Sequence, residues 1–230
     1  MILTWQQIPS PVVSEILASM ECDGVVLDTE HGAFNNETLA SCIQVVTLAG
    51  KKCFVRLTEV STTMTRLCLD SGATGIIFST VETNEQAENI MSMCHFPAQK
   101  KRGRRGMGLV RQNSWGRKNL TSDKPVLIAQ IETKKGVEKI REIANHDFDY
   151  YLIGPYDLTS SMHCEGDFDC PAYLGAVASV VTAVGKNKMG IHIPSDIKSQ
   201  IHKYSGYGIR ALGMDTTLLI EAHQEALDNA

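Results

Sequence analysis

The feature that most constrains this chain is a regular alternation of short β-branched runs with longer segments of helical period. The runs are Ile2–Trp5, Gly24–Asp28, Cys53–Leu57, Gly75–Ser79, Val126–Ile131, Tyr150–Gly154, Met189–Ile193 and Ile209–Met214. Between them Pro11–Met20, Asn36–Ala49, Thr62–Asp70, Asn84–Met93, Lys134–Ala144, Pro171–Lys186 and Ser195–Tyr204 read as helices. Runs that are apolar on both faces predict strands buried in a parallel sheet that is covered by helices. Eight of them in 230 residues predict an α/β fold, a compact (β/α)8 TIM barrel with the whole of 1–230 as a single domain. An open doubly wound sheet is the competing arrangement. It is weakened because no G-x-G-x-x-G or G-x-x-x-x-G-K-S/T segment follows any run. Asn36-Glu37 and Asn84-Glu85 place capping side chains and early acids at helix starts, and Gly50, Gly72 and Gly206 sit where helices end. The long irregular stretch is Phe96–Lys124, and a loop of that length in a compact domain is usually functional or mobile.

Acidic residues outnumber basic ones 26 to 22, a formal charge of −4, which argues against nucleic acid or an anionic membrane as the main partner. No apolar run approaches the roughly 18 residues of a membrane span. The start, Met1-Ile2-Leu3-Thr4-Trp5, lacks the basic segment and cleavage site of a signal peptide. Seven cysteines (Cys22, Cys42, Cys53, Cys68, Cys94, Cys164, Cys170) form no C-x-x-C pair. Several lie in apolar stretches such as Cys53-Phe54-Val55, where a thiol packs as a small hydrophobe. Free thiols in a reducing cytoplasm are the expectation.

In such a barrel the reactive face lies at the C-terminal ends of the strands, and polar residues gather there. The second run ends Asp28-Thr29-Glu30-His31-Gly32 and the third Val55-Arg56-Leu57. The fifth ends Ala129-Gln130-Ile131-Glu132-Thr133, and the sixth Ile153-Gly154-Pro155-Tyr156-Asp157-Leu158. Glu132 and Asp157 are one crossover apart, so their strands are expected as neighbours, roughly 5 Å apart. Carboxylates brought that close share a proton, hold a cation or pair with a base. With no matching lysine nearby, a hard divalent ion such as Mg²⁺ or Mn²⁺ is the economical occupant. Taken singly, each of these residues is more often a helix cap or a satisfied hydrogen-bonding group. The convergence of His31, Arg56, Glu132 and Asp157 on one predicted face is what makes a candidate site.

The residues also carry a resemblance. From Trp5 to about Leu219 the chain resembles the HpcH/HpaI family of metal-dependent class II pyruvate aldolases, which includes 2,4-dihydroxyhept-2-ene-1,7-dioate aldolase. The matching segments are Asp28-Thr29-Glu30-His31-Gly32, Val55-Arg56, Leu69-Asp70-Ser71-Gly72-Ala73, Arg105-Gly106-Met107-Gly108, Gln130-Ile131-Glu132-Thr133, Gly154-Pro155-Tyr156-Asp157-Leu158 and Gly213-Met214-Asp215-Thr216. Any one is weak; together, in this order, they are specific. The resemblance implies a (β/α)8 barrel, usually hexameric with exchanged C-terminal helices. It implies Glu132 and Asp157 as ligands of Mg²⁺ or Mn²⁺, with Co²⁺ also possible. Arg56 would contact the keto oxygen, and His31 would be the acid/base relay. Gln130 and Gly154-Pro155-Tyr156 would border the pyruvate pocket. Asp70 matches the aspartate that partners the histidine, but it precedes the fourth run, on the opposite face; in the family it comes from a neighbouring subunit.

The chemistry asks for these parts. Cleaving the C3–C4 bond of a 4-hydroxy-2-oxoacid to pyruvate and an aldehyde leaves a pyruvate enolate, which needs an electrophile on the keto oxygen, and a divalent metal supplies one. A Schiff-base aldolase would need a lysine at a strand's C-terminal end, whereas Lys51, Lys52 and Lys188 lie at strand beginnings. The competing readings are a citramalyl- or malyl-thioester lyase and a non-catalytic ligand-binding barrel subunit. The basic run Lys100–Arg105 is read either as solvated loop or as an anion-binding lid over the aldehyde portion of the substrate. Tyr156, where a small residue is commoner in the family, either narrows the pocket or donates a hydrogen bond to substrate, or else packs against the long loop. His192 is read either as facing the pocket or, preferably, as a core or rim residue, and Asp215 as a cap of the following helix.

Overall fold

All eight runs form strands: β1 (Ile2–Gln6), β2 (Gly24–Asp28), β3 (Lys52–Leu57), β4 (Gly75–Phe78), β5 (Val126–Ile131), β6 (Tyr150–Ile153), β7 (Met189–Ile193) and β8 (Ile209–Leu212). In this computed structural model, which describes residues 1–119 and 124–230, each strand pairs in parallel with the next. Strand β8 returns to β1, with Ile2 opposite Arg210 and Thr4 opposite Leu212, so the ring closes and the open sheet is set aside. The helices are α1 (Pro11–Ala18), α2 (Asn36–Leu48), α3 (Thr62–Asp70), α4 (Asn84–Cys94), α5 (Lys134–Glu138), α6 (Ile140–Ile143), α7 (Pro155–Ser161), α8 (Pro171–Val184), α9 (Ile197–Gln200) and α10 (Asp215–Asp228).

Local chemistry accounts for where these elements start and stop. The caps sit one residue earlier than expected: Asn35 accepts from the Thr38 N–H, and Thr83 forms a reciprocal capping box with Gln86. Gly50, Gly72 and Gly206 all turn at positive φ, as helix ends require. Two expected helices are broken. Lys139 leaves helical geometry between α5 and α6, and Ser195–Tyr204 becomes α9 followed by a 3₁₀ turn, Ile201–Tyr204. Within Phe96–Lys124, residues 120–123 lie outside those described. The rest is non-helical apart from a 3₁₀ turn at Arg111–Asn113.

The core has two parts. Leu3, Trp5, Val26, Phe54, Ile77, Ile128, Leu152, Ile209 and Ala211 fill the barrel interior. The alternate strand residues, among them Val25, Leu27, Val55, Ile76, Phe78, Ala129 and Ile153, pack outward against the helices. Side chains alternate along a strand, so the inward positions are set by two-residue steps. Continuing those steps toward the C-terminal mouth leads from Val26 to Asp28, Phe54 to Arg56, Ile77 to Ser79, and Ile128 to Gln130 and then Glu132. On β6, β7 and β1 they lead to Gly154, His192 and Gln7. The polar mouth is the top layer of the same side-chain stack that makes the core.

Candidate active site

At that mouth lies a cavity of about 310 Å³. Its lining includes Trp5, Gln7, His31, Arg56, Gln130, Gly154, Pro155, Tyr156, Asp157 and His192. Seven of the nine residues singled out from the sequence are thus brought together: His31, Arg56, Gln130, Gly154, Pro155, Tyr156 and Asp157. Glu132 stands directly behind Gln130 and Gly154. Asp70 is elsewhere.

Arg56 is the most constrained side chain of the group. Its Nε and Nη2 donate to the two oxygens of Asp28 at 2.9 and 2.7 Å, and Nη1 reaches Glu30 Oε2 at 2.8 Å. Its guanidinium carbon lies 5.0 Å from the Trp5 ring centroid. A guanidinium has five N–H donors, so this pattern leaves two for a ligand in the cavity. Asp28 is fully buried and also accepts from the backbone N–H groups of Glu30 and His31. Burial opposes its ionisation, but the hydrogen bonds and charge of Arg56 outweigh that and hold the carboxyl below its ordinary range. Ser79 Oγ donates to Glu30 Oε2 at 2.9 Å, which fixes the second partner of Arg56.

Glu132 is held differently. One oxygen, Oε1, accepts from both the backbone N–H and the hydroxyl of Thr80, each at 2.6 Å; the other, Oε2, accepts from Gln130 Nε2. Burial raises this carboxyl above its ordinary range, against the pull of those donors, and the negative charges of Glu30 and Asp157 push it the same way. A side chain at position 154 would meet Glu132 Oε2 at 2.6 Å, so the glycine there is what lets the carboxylate approach the cavity wall. Asp157 is in the first turn of α7, with Pro155 at the start of that helix. Gln130 Oε1 is buried and has no hydrogen-bond partner, an acceptor left over beside the cavity.

His31 stands at the mouth with its side chain 59% exposed and Nε2 4.0 Å from Glu30 Oε2. His192 stacks on Trp5, ring centroids 4.2 Å apart, and its Nε2 lies 3.1 Å from the Gly213 carbonyl. It is therefore both packed and pocket-facing, and burial pulls its pKa down to about 4. Tyr156 borders the cavity as expected, but its ring packs edge-on against Phe168, 5.1 Å away, in the α7–α8 connection rather than against the long loop. Asp215 is the first residue of α10 rather than its cap, which is Met214. The Asp215 carboxylate accepts from Gln7 N and Ile8 N as well as Thr216 N, tying the end of β1 to the end of β8.

Asp70 ends α3 and lines a separate cavity with Arg66, Arg111 and Trp115. The lid reading of Lys100–Arg105 fails for this chain's own pocket. These residues join α4 to β5, at the end opposite the mouth, and they are engaged there. Lys100 pairs with Asp147, Arg102 with Glu88 and Arg105 with Asp70, while Arg104 bonds Ser92 and Asn89. Sequence reasoning passed over Asp28, Glu30, Ser79, Thr80 and Trp5. The first four close or follow strands, which was a usable signal, but only the inward alternation tells which of them face the cavity.

A model of the HpcH/HpaI aldolase/citrate lyase family matches residues 2–222. The chain belongs to this family. Over 225 residues it is 29% identical to the hydroxypyruvate/pyruvate aldolase of Delftia acidovorans, covering 95% of this chain and 83% of the relative. The 4-hydroxy-2-oxo-heptane-1,7-dioate aldolase of Salmonella typhimurium is 27% identical over 225 residues, covering 94% of this chain and 84% of the relative. A solved HpcH/HpaI aldolase/citrate lyase family protein from Burkholderia cenocepacia J2315 superposes with a TM-score of 0.91 at 26% identity. That match covers 100% of this chain and 93% of the other. The expected family and the expected class, a carbon–carbon lyase of the aldolase type, are both borne out.

Proposed function

We propose that this HpcH/HpaI aldolase cleaves a 4-hydroxy-2-oxoacid to pyruvate and an aldehyde, reversibly, with a divalent cation held by Glu132 and Asp157. The observation that carries the reading is a fixed cation and an acidic pair at one mouth: Arg56, locked by Asp28 and Glu30, lines the same cavity as Asp157, and Glu132 stands behind its Gln130 and Gly154 wall, where it feels the charge of Asp157. The donor set fits a hard ion, since Glu132 and Asp157 offer oxygen and the Gln130 carbonyl oxygen beside them has no partner. Among the described residues no group of three or more His, Cys, Asp or Glu side chains is placed to hold a metal. Such an ion would therefore draw most of its shell from water and substrate, as Mg²⁺ and Mn²⁺ commonly do. When bound, it supplies Lewis acidity at the keto oxygen of the 2-oxoacid.

The chain's own groups do the rest. The two remaining N–H donors of Arg56 meet the charge that develops on the keto oxygen, and they are preorganised because three other donors are already engaged. His31, at the open side of the cavity, takes the C4 hydroxyl proton and returns it in the reverse direction. Gln130 and Gly154-Pro155-Tyr156 border the pyruvate portion. No lysine lines the cavity among the described residues, which supports this route over a Schiff base. Oxaloacetate decarboxylation is an expected side activity because it passes through the same enolate.

The reading extends to a homo-oligomer of the hexameric kind in which Asp70 serves the His31 of a neighbouring copy. Its support is that Asp70 lines a cavity of its own, away from His31, and that α10 is exposed beyond its first turn, with Leu219, Ile220 and Leu227 on its surface. The cytoplasm is the proposed compartment. All seven cysteines are free thiols, and no helix among the described residues is long and apolar enough to cross a membrane.

The deciding experiment follows pyruvate release from several 4-hydroxy-2-oxoacids by EDTA-stripped protein, with and without added Mn²⁺ or Mg²⁺. Turnover is expected to vanish on stripping and return with either ion. Undiminished turnover without metal, or borohydride trapping of a substrate adduct, would overturn the metal route.

A further inference from the structure

Thr80 is the residue the site depends on and the mechanism above does not use. It follows β4 with φ +52, the left-handed region, where a β-branched side chain is a true outlier. Among the described residues the other non-glycine residues at positive φ are Ser114, Trp115, His163 and Asp196, none of them β-branched. Strain of this kind persists only where the surroundings over-determine it. Here the Thr80 carbonyl accepts from Gln86 Nε2 at 3.3 Å, and the next N–H, that of Val81, donates to the Gln130 carbonyl at 3.1 Å.

The left-handed turn brings two donors of one residue, N–H and hydroxyl, onto the same oxygen of Glu132, each at 2.6 Å. A carboxylate oxygen has two lone-pair sites, so Oε1 is filled. Oε2 has one donor, from Gln130, and is the oxygen packed against Gly154 on the cavity wall. We propose that Thr80 is a positioning residue which saturates Glu132 Oε1 and so leaves Oε2 as the oxygen offered to a cation. The inference rests on the metal reading above and sharpens it: the hydroxyl and the strained turn set how Glu132 binds, and Thr80 itself does not line the cavity. Ser79, one residue earlier, steadies Glu30 and through it Arg56, so the end of β4 orients both halves of the site.

The test is Mn²⁺ binding to stripped protein, by calorimetry, for wild type and Thr80→Ser, Thr80→Val and Thr80→Gly, with a thermal melt of each. Loss of such a supporting hydrogen bond weakens metal affinity by roughly 10–100-fold. Thr80→Val is expected to fall by about that factor, and Thr80→Ser to bind as wild type. Thr80→Gly relieves the backbone strain and keeps the N–H, so it should melt no lower than wild type yet still bind Mn²⁺ more weakly. A merely structural role would not separate melting from binding in that way. Wild-type affinity in Thr80→Gly or Thr80→Val, or equal losses in Ser and Val, overturns the proposal while leaving the metal reading intact. Failure of the wild type to bind Mn²⁺ overturns both.

Discussion

Two buried arginines lie over aromatic rings and against aspartates at opposite ends of this barrel, and they are built to different standards. At the mouth, Arg56 sits 5.0 Å above Trp5, forks onto Asp28 and adds Glu30; none of its nitrogens is left without a partner. At the floor, Arg105 sits 4.6 Å from the Phe96 ring and bonds Asp70 at 3.2 Å and Gln112, but its Nε and Nη1 are buried without partners. Burial accordingly pulls the Arg105 pKa down from its ordinary value, against the charge of Asp70. The difference follows from what holds each residue. Asp28 and Arg56 are register partners on adjacent strands, and Ser79 directly follows β4 on the far side of β3, so all three are held by the barrel. Arg105 comes from a non-helical connection that meets α3 across 35 positions of sequence. Strand-built charge is complete within one chain; loop-built charge is not.

That contrast is most easily broken by removing each arginine in turn. Arg56→Met strands Asp28, which is 0% exposed, and should cost about 3–5 kcal/mol of stability. Arg105→Met leaves Asp70, whose side chain is 25% exposed and can be hydrated, and should cost about 1 kcal/mol or less. Urea denaturation at pH 7 measures both, and equal losses would mean that the two pairs are not different in kind. The milder Arg56→Lys keeps the charge but cannot fork. It should lower turnover by roughly 10²–10³-fold while leaving Mn²⁺ affinity near wild type, because it removes charge stabilisation and no metal ligand. Normal turnover in that variant would remove Arg56 from the chemistry.

A second experiment addresses the incompleteness of the floor. If Asp70 serves a neighbouring copy, Asp70→Asn and Arg56→Lys each inactivate a different chain's contribution to a shared site. Mixing the two inactive proteins under conditions that exchange subunits should then recover part of the wild-type activity, since some sites combine an intact Arg56 with an intact Asp70. No recovery, together with light scattering that shows an active monomer, would confine Asp70 and Arg105 to a structural role.

The barrel was legible because the strands are short, largely apolar runs and most helices are long enough to show their period. The same apolar character hid half of the site. Where Val25, Val26 and Leu27 are all apolar, nothing in the sequence marks which face is inward. Asp28 and Glu30 were therefore quoted as a strand ending while only His31 was given a role. Glu132, Asp157 and Arg56 could be picked out because charge at a strand end stands out against such runs. Thr80 could not be: its importance lies in a φ of +52, which a threonine does not advertise. Tyr156 failed on its partner for a related reason, since Phe168 reaches it only through the turns of the α7–α8 connection. The Lys100–Arg105 run was misplaced because its partners Glu88, Asp147 and Asp70 lie on three separate segments.

The smallest expected effect tests how tightly the mouth is packed. Trp5 carries Arg56 on its ring and stacks with His192 at an interplanar angle of 11°. Burial, aided by the charge of Arg56, lowers the His192 pKa from an ordinary 6.5 to about 4. Between those values the unfolded chain binds a proton at this position that the folded chain does not, so stability must fall as pH drops through the window. Well above pH 6.5, by about a unit, the histidine is essentially neutral in both states and contributes almost no slope. His192→Phe can keep the stack on Trp5 and removes the titration. Its denaturation midpoint should therefore decline less than that of wild type between pH 6.5 and 5, whatever its absolute stability. Parallel slopes for the two proteins would show that water reaches His192, and that the top of the barrel is looser than the closed network around Arg56 requires.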